Sequence, residues 1–339
     1  MTIRDIAGMA GVSTAAVSRY FNNGYISDEK REAIRKVVEK TGYYPSMQAQ
    51  TLRTKRTRLL GVIIPRLDSG SIARVVAGVM DAASRSEYQI LLANTMNDNM
   101  KELEYLSVFH EKQVDGVVLV GTLMTPQHEE ALANMEVPVI VVGQRLTGFN
   151  SVSHDDYNAS YDITKLMLEK GRKRLAYIGV TSGDKAVGES RYRGYCDAVT
   201  SVGFHDLIYR TVVAEFSMES GYEKMKELMD KYDDIDGVVV ATDTLAAGAM
   251  RCLKEHGKKI PSDVMICGQG NSMVSRALDP ELTTIRYYYE ESGRTAAEMI
   301  LDMIETEEAD ETAGTETDMP VREIKLGYEL MDRASTANN

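Results

Sequence analysis

Along the first two dozen residues, apolar positions recur at helical spacing in two short bursts. Ile6, Ala10, Val12 and Val17 would set one face of each of two short helices against the other, with Gly11 at the turn and Ser13 placed to cap the second. A third helix is predicted over Ser27 to Thr41: Ser27-Asp28-Glu29-Lys30 opens it, Ile34, Val37 and Val38 form its apolar stripe, and Gly42 ends it. Tyr43-Tyr44-Pro45 breaks the pattern. Ser46 to Arg53 then has room for about two helical turns, with Ala49 and Leu52 on one side and Arg53, Lys55, Arg56 and Arg58 following.

From Leu59 the texture changes to apolar runs alternating with amphipathic helices, the signature of an α/β fold. Leu59 to Pro65, Gln89 to Asn94, Gly116 to Val120 and Val139 to Gly143 read as buried parallel strands, with helices over 71–86, 100–113 and 126–134 between them. A second series begins at Asp156. It has helices over 156–169, 190–202, 217–231 and 244–255, and strands over 174–180, 208–213, 237–241 and 264–267. A crossing segment over 283–289 and a helix over 290–304 complete it. The expected architecture is a three-helix head over 1–45, a linker over 46–58, and a core of two doubly wound parallel-sheet lobes over 59–339. One lobe takes in about 59–155 plus 271–290, the other 156–270 plus 291–339. The facing carboxyl ends of the two sheets would form a cleft, and ligands are expected there. Glu305 to Asp318, rich in Asp and Glu and almost without apolar residues, reads as a surface loop before a strand pattern resumes at Val321 to Leu326.

Charge divides the chain in the same place. Residues 1–58 hold 11 Lys and Arg against 5 Asp and Glu, whereas the whole chain holds 39 against 51, for a net charge of −12. A basic head on an acidic body can bind phosphates with a steep salt dependence while the body repels nucleic acid. A helix that presents Thr14, Ala15, Ser18 and Arg19 outward suits the major groove, with Thr14, Ala15 and Arg19 as base readers. The plainer alternative is a helical hairpin used only for packing. Segment 46–53 is too short to hold a helix alone and is expected to order on DNA, with Leu52 prying open a minor-groove base step; a flexible linker is the alternative.

Other chemistries find little support. Cys196, Cys252 and Cys267 are not spaced as metal ligands or disulfide partners, and His110, His128, His154, His205 and His256 show no metal-type spacing, so no metal, cofactor or catalytic residue is assigned. No apolar run approaches a membrane span or a signal peptide, which makes a cytoplasmic protein the expectation. The lone Gly268-Gln269-Gly270 lacks the third glycine and the helix start of a nucleotide-binding loop. A solute-binding protein would share the two-lobed core but has no use for Arg19 or a basic linker.

The stretch Asp5-Ile6-Ala7 through Gly11-Val12-Ser13 to Val17-Ser18-Arg19 resembles the lactose-repressor (LacI/GalR) family. So, in order, do Gly42-Tyr43-Tyr44-Pro45, Val114-Asp115-Gly116-Val117, Asp243 to Met250 and Leu282-Thr283-Thr284-Ile285, and the likeness covers essentially the whole chain. It implies a homodimeric transcription factor with a helix-turn-helix head and a periplasmic-binding-protein-like core. Such a protein binds a palindromic operator under control of a small effector, usually a sugar, with a dimer face partly on the first core helix. The DNA-contact set it implies is Thr2, Ser13, Thr14, Ala15, Ser18, Arg19, Asn22, Tyr43, Ala49, Leu52 and Arg53. The effector set is Ser69, Ser71, Gln144, Arg191, Phe216, Thr242, Asp243, Asn271, Tyr287 and Tyr289, a mix of aromatic faces and directed hydrogen-bonding groups that suits a carbohydrate. Plainer roles stand beside these: Phe216 or Tyr289 as core, Asp243 as a helix cap, Arg191 in a surface ion pair. The family often has an acidic residue where Gly270 stands, so Asn271 or Gln144 is expected to compensate. The Gly24-Tyr25-Ile26-Ser27 turn and the Arg286 to Tyr289 run look most like sucrose-type repressors, which points to a disaccharide. The absence of apolar heptads after the last strand points to a dimer, not a tetramer. Whether the effector induces, co-represses or activates is not written in the residues.

Overall fold

Thr2 opens the first helix with a reciprocal cap: its hydroxyl accepts from the Asp5 amide, and the Asp5 carboxylate accepts from the Thr2 amide at 2.7 Å. Helices α1 (Ile3–Ala10), α2 (Thr14–Phe21) and α3 (Asp28–Thr41) follow. Gly11, at φ 65°, takes the left-handed turn on which α1 ends, and Ser13 Oγ accepts from the Ala16 amide at 3.2 Å, the cap expected for α2. Ile6, Ala7, Ala16, Val17, Ile26 and Ile34 close a small core among the three helices. These belong to a compact unit, Met1–Arg58, that separates from a second unit, Leu59–Asn339. The structure is a computed structural model that describes residues 1–21, 24–43, 56–111, 114–315 and 317–338.

The second unit holds two six-stranded sheets. The first lobe contains β1 (Leu59–Ile64), β2 (Gln89–Asn94), β3 (Gly116–Val120), β4 (Val139–Val142) and β5 (Ser151–His154), with α4 (Gly70–Arg85), α5 (Asn99–His110) and α6 (Pro126–Ala133) around them. The second contains β6 (Leu175–Gly179), β7 (Thr211–Val213), β8 (Gly237–Val240), β9 (Met265–Gln269) and β10 (Thr283–Tyr287). Its helices are α7 (Asp156–Glu169), α8 (Arg191–Ser201), α9 (Met218–Lys231), α10 (Asp243–Glu255) and α11 (Met273–Ala277). Then α12 (Tyr289–Ala313), β11 (Glu323–Leu326) and β12 (Tyr328–Met331) follow. The sheet orders are β11-β5-β4-β3-β1-β2 and β12-β10-β9-β8-β6-β7, parallel throughout except for β10 with β12. Central strands such as β3, β6 and β8 are buried along their whole length, which is why they read as unbroken apolar runs.

Two expectations are corrected. Part of the chain's end is divided between the lobes the other way round: β10, expected in the first lobe, pairs with β9 in the second, whereas α12 and β11, expected in the second, belong to the first; β12 is in the second, as expected. The chain therefore crosses between lobes three times, at His154–Asp156, Tyr287–Tyr289 and Leu326–Tyr328. Glu305 to Ala313 is not a loop but the end of α12, because Glu and Ala favour helix even without apolar residues, and Asp310 accepts hydrogen bonds from Thr315 and Thr317 just beyond it. Strands β5 and β12 were not expected: each has only 4 residues, and in β5 only Val152 is apolar.

Helix α12 joins the first lobe through glycine. A Cβ on Gly78 of α4 would lie 1.8 Å from the Glu290 carbonyl oxygen, and one on Gly293 would lie 1.9 Å from that of Val75, so the two backbones touch. Gly78→Ala must push these helices apart. It should destabilise the core by about 1–3 kcal/mol, seen as a lower midpoint in urea unfolding, whereas Gly70→Ala, with open space around it, should not.

Candidate functional site

Between the carboxyl ends of the two sheets lies a cavity of about 390 Å³. From the first lobe, Ser69 and Ser71 reach it at the start of α4, their hydroxyl oxygens 2.9 Å apart, and Gln144 follows β4. From the second come Arg191 at the start of α8, Phe216 after β7, and Thr242 with Asp243 at the start of α10; Tyr289 stands at a crossing. Thr242, not Asp243, is the helix cap, its hydroxyl accepting from the Leu245 amide. The Asp243 carboxylate instead accepts from the Thr284 hydroxyl at 2.5 Å and the Ser272 amide at 2.7 Å, and burial pushes its pKa up.

Arg191 is no surface residue. It is 3% exposed; its Nε and Nη2 both lie 2.7 Å from Asp156 Oδ1, its Nη1 donates to the Ala241 carbonyl at 2.6 Å, and its plane lies 4.6 Å from the Tyr287 ring centre. A buried guanidinium held this way is a fixed donor group in the cavity wall. Two expected residues are not in that wall. Tyr287 is fully buried behind Arg191, its hydroxyl donating to Gln269 Oε1 at 2.7 Å. Asn271 turns its Oδ1 to Arg333 at 2.5 Å, so it cannot replace the missing acid at Gly270.

The cavity is bridged. Arg66 donates to the Phe216 carbonyl at 2.9 Å, Arg74 to the Gly270 carbonyl at 2.7 Å, and Gln144 Nε2 to Asp184 Oδ1 at 2.9 Å, each from the first lobe to the second. Asp184 Oδ1 also accepts from the Ala186 and Val187 amides, and burial pushes this carboxyl up. Arg66, Arg74, Asp156, Asp184 and His154 all line the site and were not expected from the sequence. Arg66 and Asp184 stand in loops, His154 and Asp156 at a crossing, and Arg74 on α4, where its partner Gly270 is 196 residues away; the run His154-Asp155-Asp156 at a strand end was the one available signal. His154 packs edge-on against Tyr287 and Tyr289, with ring centres 5.4 and 5.0 Å apart. Burial holds its pKa below the ordinary value; Arg191 and Arg74 add to this, while Asp156 and a hydrogen bond to the Tyr288 backbone oppose it.

On the separate head, Thr14, Ala15 and Arg19 are exposed on α2 and Ser18 is half-buried. Thr2 and Ser13 are exposed, each with its hydroxyl oxygen in a helix cap, and Tyr43 is half-buried against Phe21 at 5.9 Å. Asn22, Ala49, Leu52, Arg53 and the helix expected over Ser46 to Arg53 lie outside the described residues. Among the described residues no cluster of metal-ligating side chains occurs and no helix is long and apolar enough to cross a membrane.

Residues 2–46 match the family described as bacterial regulatory proteins, lacI family, and residues 164–336 match a periplasmic binding protein-like domain. The sucrose operon repressor of Staphylococcus xylosus is 32% identical, over 89% of this chain and 93% of its own length. Among solved structures, a transcriptional regulator CelR–cellobiose complex is 26% identical with TM-score 0.74, each chain covered to 99%. The lac repressor dimer bound to operator and an anti-inducer shares the fold at TM-score 0.87 and 20% identity, covering 100% of this chain and 99% of its own.

Two consequences can be measured. Arg191→Leu leaves Asp156 buried without its partner and should cost about 3–5 kcal/mol of core stability by urea unfolding. His154, with its folded pKa depressed, binds fewer protons folded than unfolded. It therefore contributes stability above about pH 6.5 that is lost as pH falls. Between about pH 7 and pH 5.5 the wild type should lose more stability than His154→Gln.

Proposed function

Since the chain belongs to the lacI family of bacterial regulatory proteins, we propose that it represses carbohydrate-utilisation genes as a homodimer on a palindromic operator. A small sugar in the core's cleft controls that binding. The chain is a DNA-binding transcriptional regulator and not an enzyme. The observation that carries the sugar reading is the cleft wall itself. Fixed donors and acceptors from Arg191, Asp184 and Asp243 stand beside the aromatic faces of Phe216 and Tyr289. Hydroxyls of a sugar ring take directed hydrogen bonds while its C–H face packs on an aromatic ring. A relative named for the sucrose operon and a neighbour solved with cellobiose favour a disaccharide. Ser69, Ser71, Gln144 and Thr242 complete the proposed contact set from both lobes.

The head reads DNA through Thr14, Ala15 and Arg19, with Thr2, Ser13, Ser18 and Tyr43 toward the backbone and the segment from Ala49 to Arg53 as a minor-groove element. A two-fold operator mirrors a two-fold dimer.

Fluorescence anisotropy with a palindrome from the gene's own upstream region tests both halves. Tight binding that falls steeply with salt, and is released by a disaccharide, is the expected result. Arg19→Ala should weaken binding about 10- to 100-fold. Tightening by the sugar would make it a co-repressor, and no binding to any upstream palindrome would contradict the reading of the head.

A further inference from the structure

We infer that the effector is an uncharged carbohydrate and that the charge of the cleft wall excludes phosphorylated sugars. The inference deepens the reading of the cleft as a sugar site and rests on it. Among the described residues, five carboxylates and three guanidiniums line the cavity. Pairing takes up two of the three cations: Arg191 lies 2.7 Å from Asp156, and Arg66 lies 3.1 Å from Asp68. Asp184, Asp243 and Glu219 are then left against Arg74 alone.

Arg74 is already engaged. Its Nη2 donates to the Gly270 carbonyl at 2.7 Å and its Nε to the Gly70 carbonyl at 3.2 Å, and its guanidinium lies 4.8 Å from the Tyr289 ring centre. The N-terminus of α4 opens on the same wall, where its positive end would favour an anion. Asp68, two residues ahead of that helix, sets a carboxylate against it.

Asp184 and Asp243 decide the balance, because both are buried. Every hydrogen bond to them runs toward the carboxylate: Asp184 Oδ1 accepts from Gln144 Nε2 and from the Ala186 and Val187 amides, and Asp243 accepts from the Thr284 hydroxyl and the Ser272 amide. Burial pushes both carboxyls up, and these donors act against it by favouring the ionised form. The cations whose fields reach them are themselves offset. Arg191, near Asp184, is bound to Asp156, and Arg333, near Asp243, lies 3.9 Å from Glu281.

Charges in a water-poor cleft act on a ligand without touching it. A phosphate monoester would bring about −1.5 to −2 of charge to a wall that is already negative. A sugar hydroxyl brings a donor that such a wall can accept.

Calorimetric titration of the full chain with sucrose, cellobiose and ribose, each beside its own phosphate monoester, tests this. The sugar that binds should do so at least about tenfold more tightly than its phosphate monoester. Asp184→Asn keeps the side chain's shape and an acceptor oxygen for the Ala186 and Val187 amides but removes the charge. It should narrow that ratio by about three- to tenfold. If the variant does not fold, salt decides: the wild-type ratio should shrink between about 0.05 and 0.5 M sodium chloride, whereas exclusion by size alone would not respond. A phosphate monoester that binds as tightly as its sugar or more tightly, an unchanged ratio in folded Asp184→Asn, or, failing that variant, a ratio indifferent to salt would overturn the inference and leave the sugar reading standing. No heat from any of the six compounds would overturn the sugar reading and this inference with it.

Discussion

Three hydrogen bonds across the cleft join the two lobes of the core, Arg66 to Phe216, Arg74 to Gly270 and Gln144 to Asp184. Three chain crossings tether the lobes, and the bridging bonds link the two walls of the cavity. Each such bond is worth about 1 kcal/mol net, so together they hold this arrangement by a few kcal/mol. Carrying a two-state equilibrium from nearly all one form to nearly all the other takes about 5.5 kcal/mol of differential binding. A ligand that makes several directed bonds to both walls is on that scale. Bridges of that strength hold this arrangement and are within reach of the effector proposed above.

Rigidity on the second lobe's side comes from burial. Asp156 and Arg191 satisfy one another inside the protein, and Tyr287 behind them is locked by Gln269, so the cleft's principal donor cannot swing away. Arg74, Tyr289, His154, Tyr287 and Arg191 form a continuous series of ring and guanidinium contacts from α4 to α8 that passes through the crossing. A change in lobe spacing must slide that series, which gives the proposed effector something to act on besides the bridging bonds.

Much of this was legible in the chain. The three-helix head followed from apolar spacing and cap residues, and the strand-helix alternation followed from buried runs such as Gly116 to Val120. Both signals are local and strongly periodic. The lobe membership of α12 and β11 was not legible, because it depends on the helix contact at Gly78 and Gly293, which no window of sequence displays. Of the residues expected in the cleft, Gln144 and Thr242 follow strands and Arg191 opens α8, and all three line the cavity. Tyr287 and Asn271 do not, since one residue's difference in register turns a side chain to the other face of a strand or toward Arg333. Arg66, Arg74, Asp184 and His154 gain their meaning only from partners far along the chain.

In the function proposed above, a sugar in the cleft and an operator on the head are linked through one equilibrium. Linkage is reciprocal: if sugar changes operator affinity by some factor, operator must change sugar affinity by the same factor. The direct measurement is the calorimetric Kd of the full chain for its sugar, with and without saturating operator DNA. Operator should weaken sugar binding by the factor by which sugar weakens operator binding. Equal sugar affinity in the presence and absence of operator would contradict it.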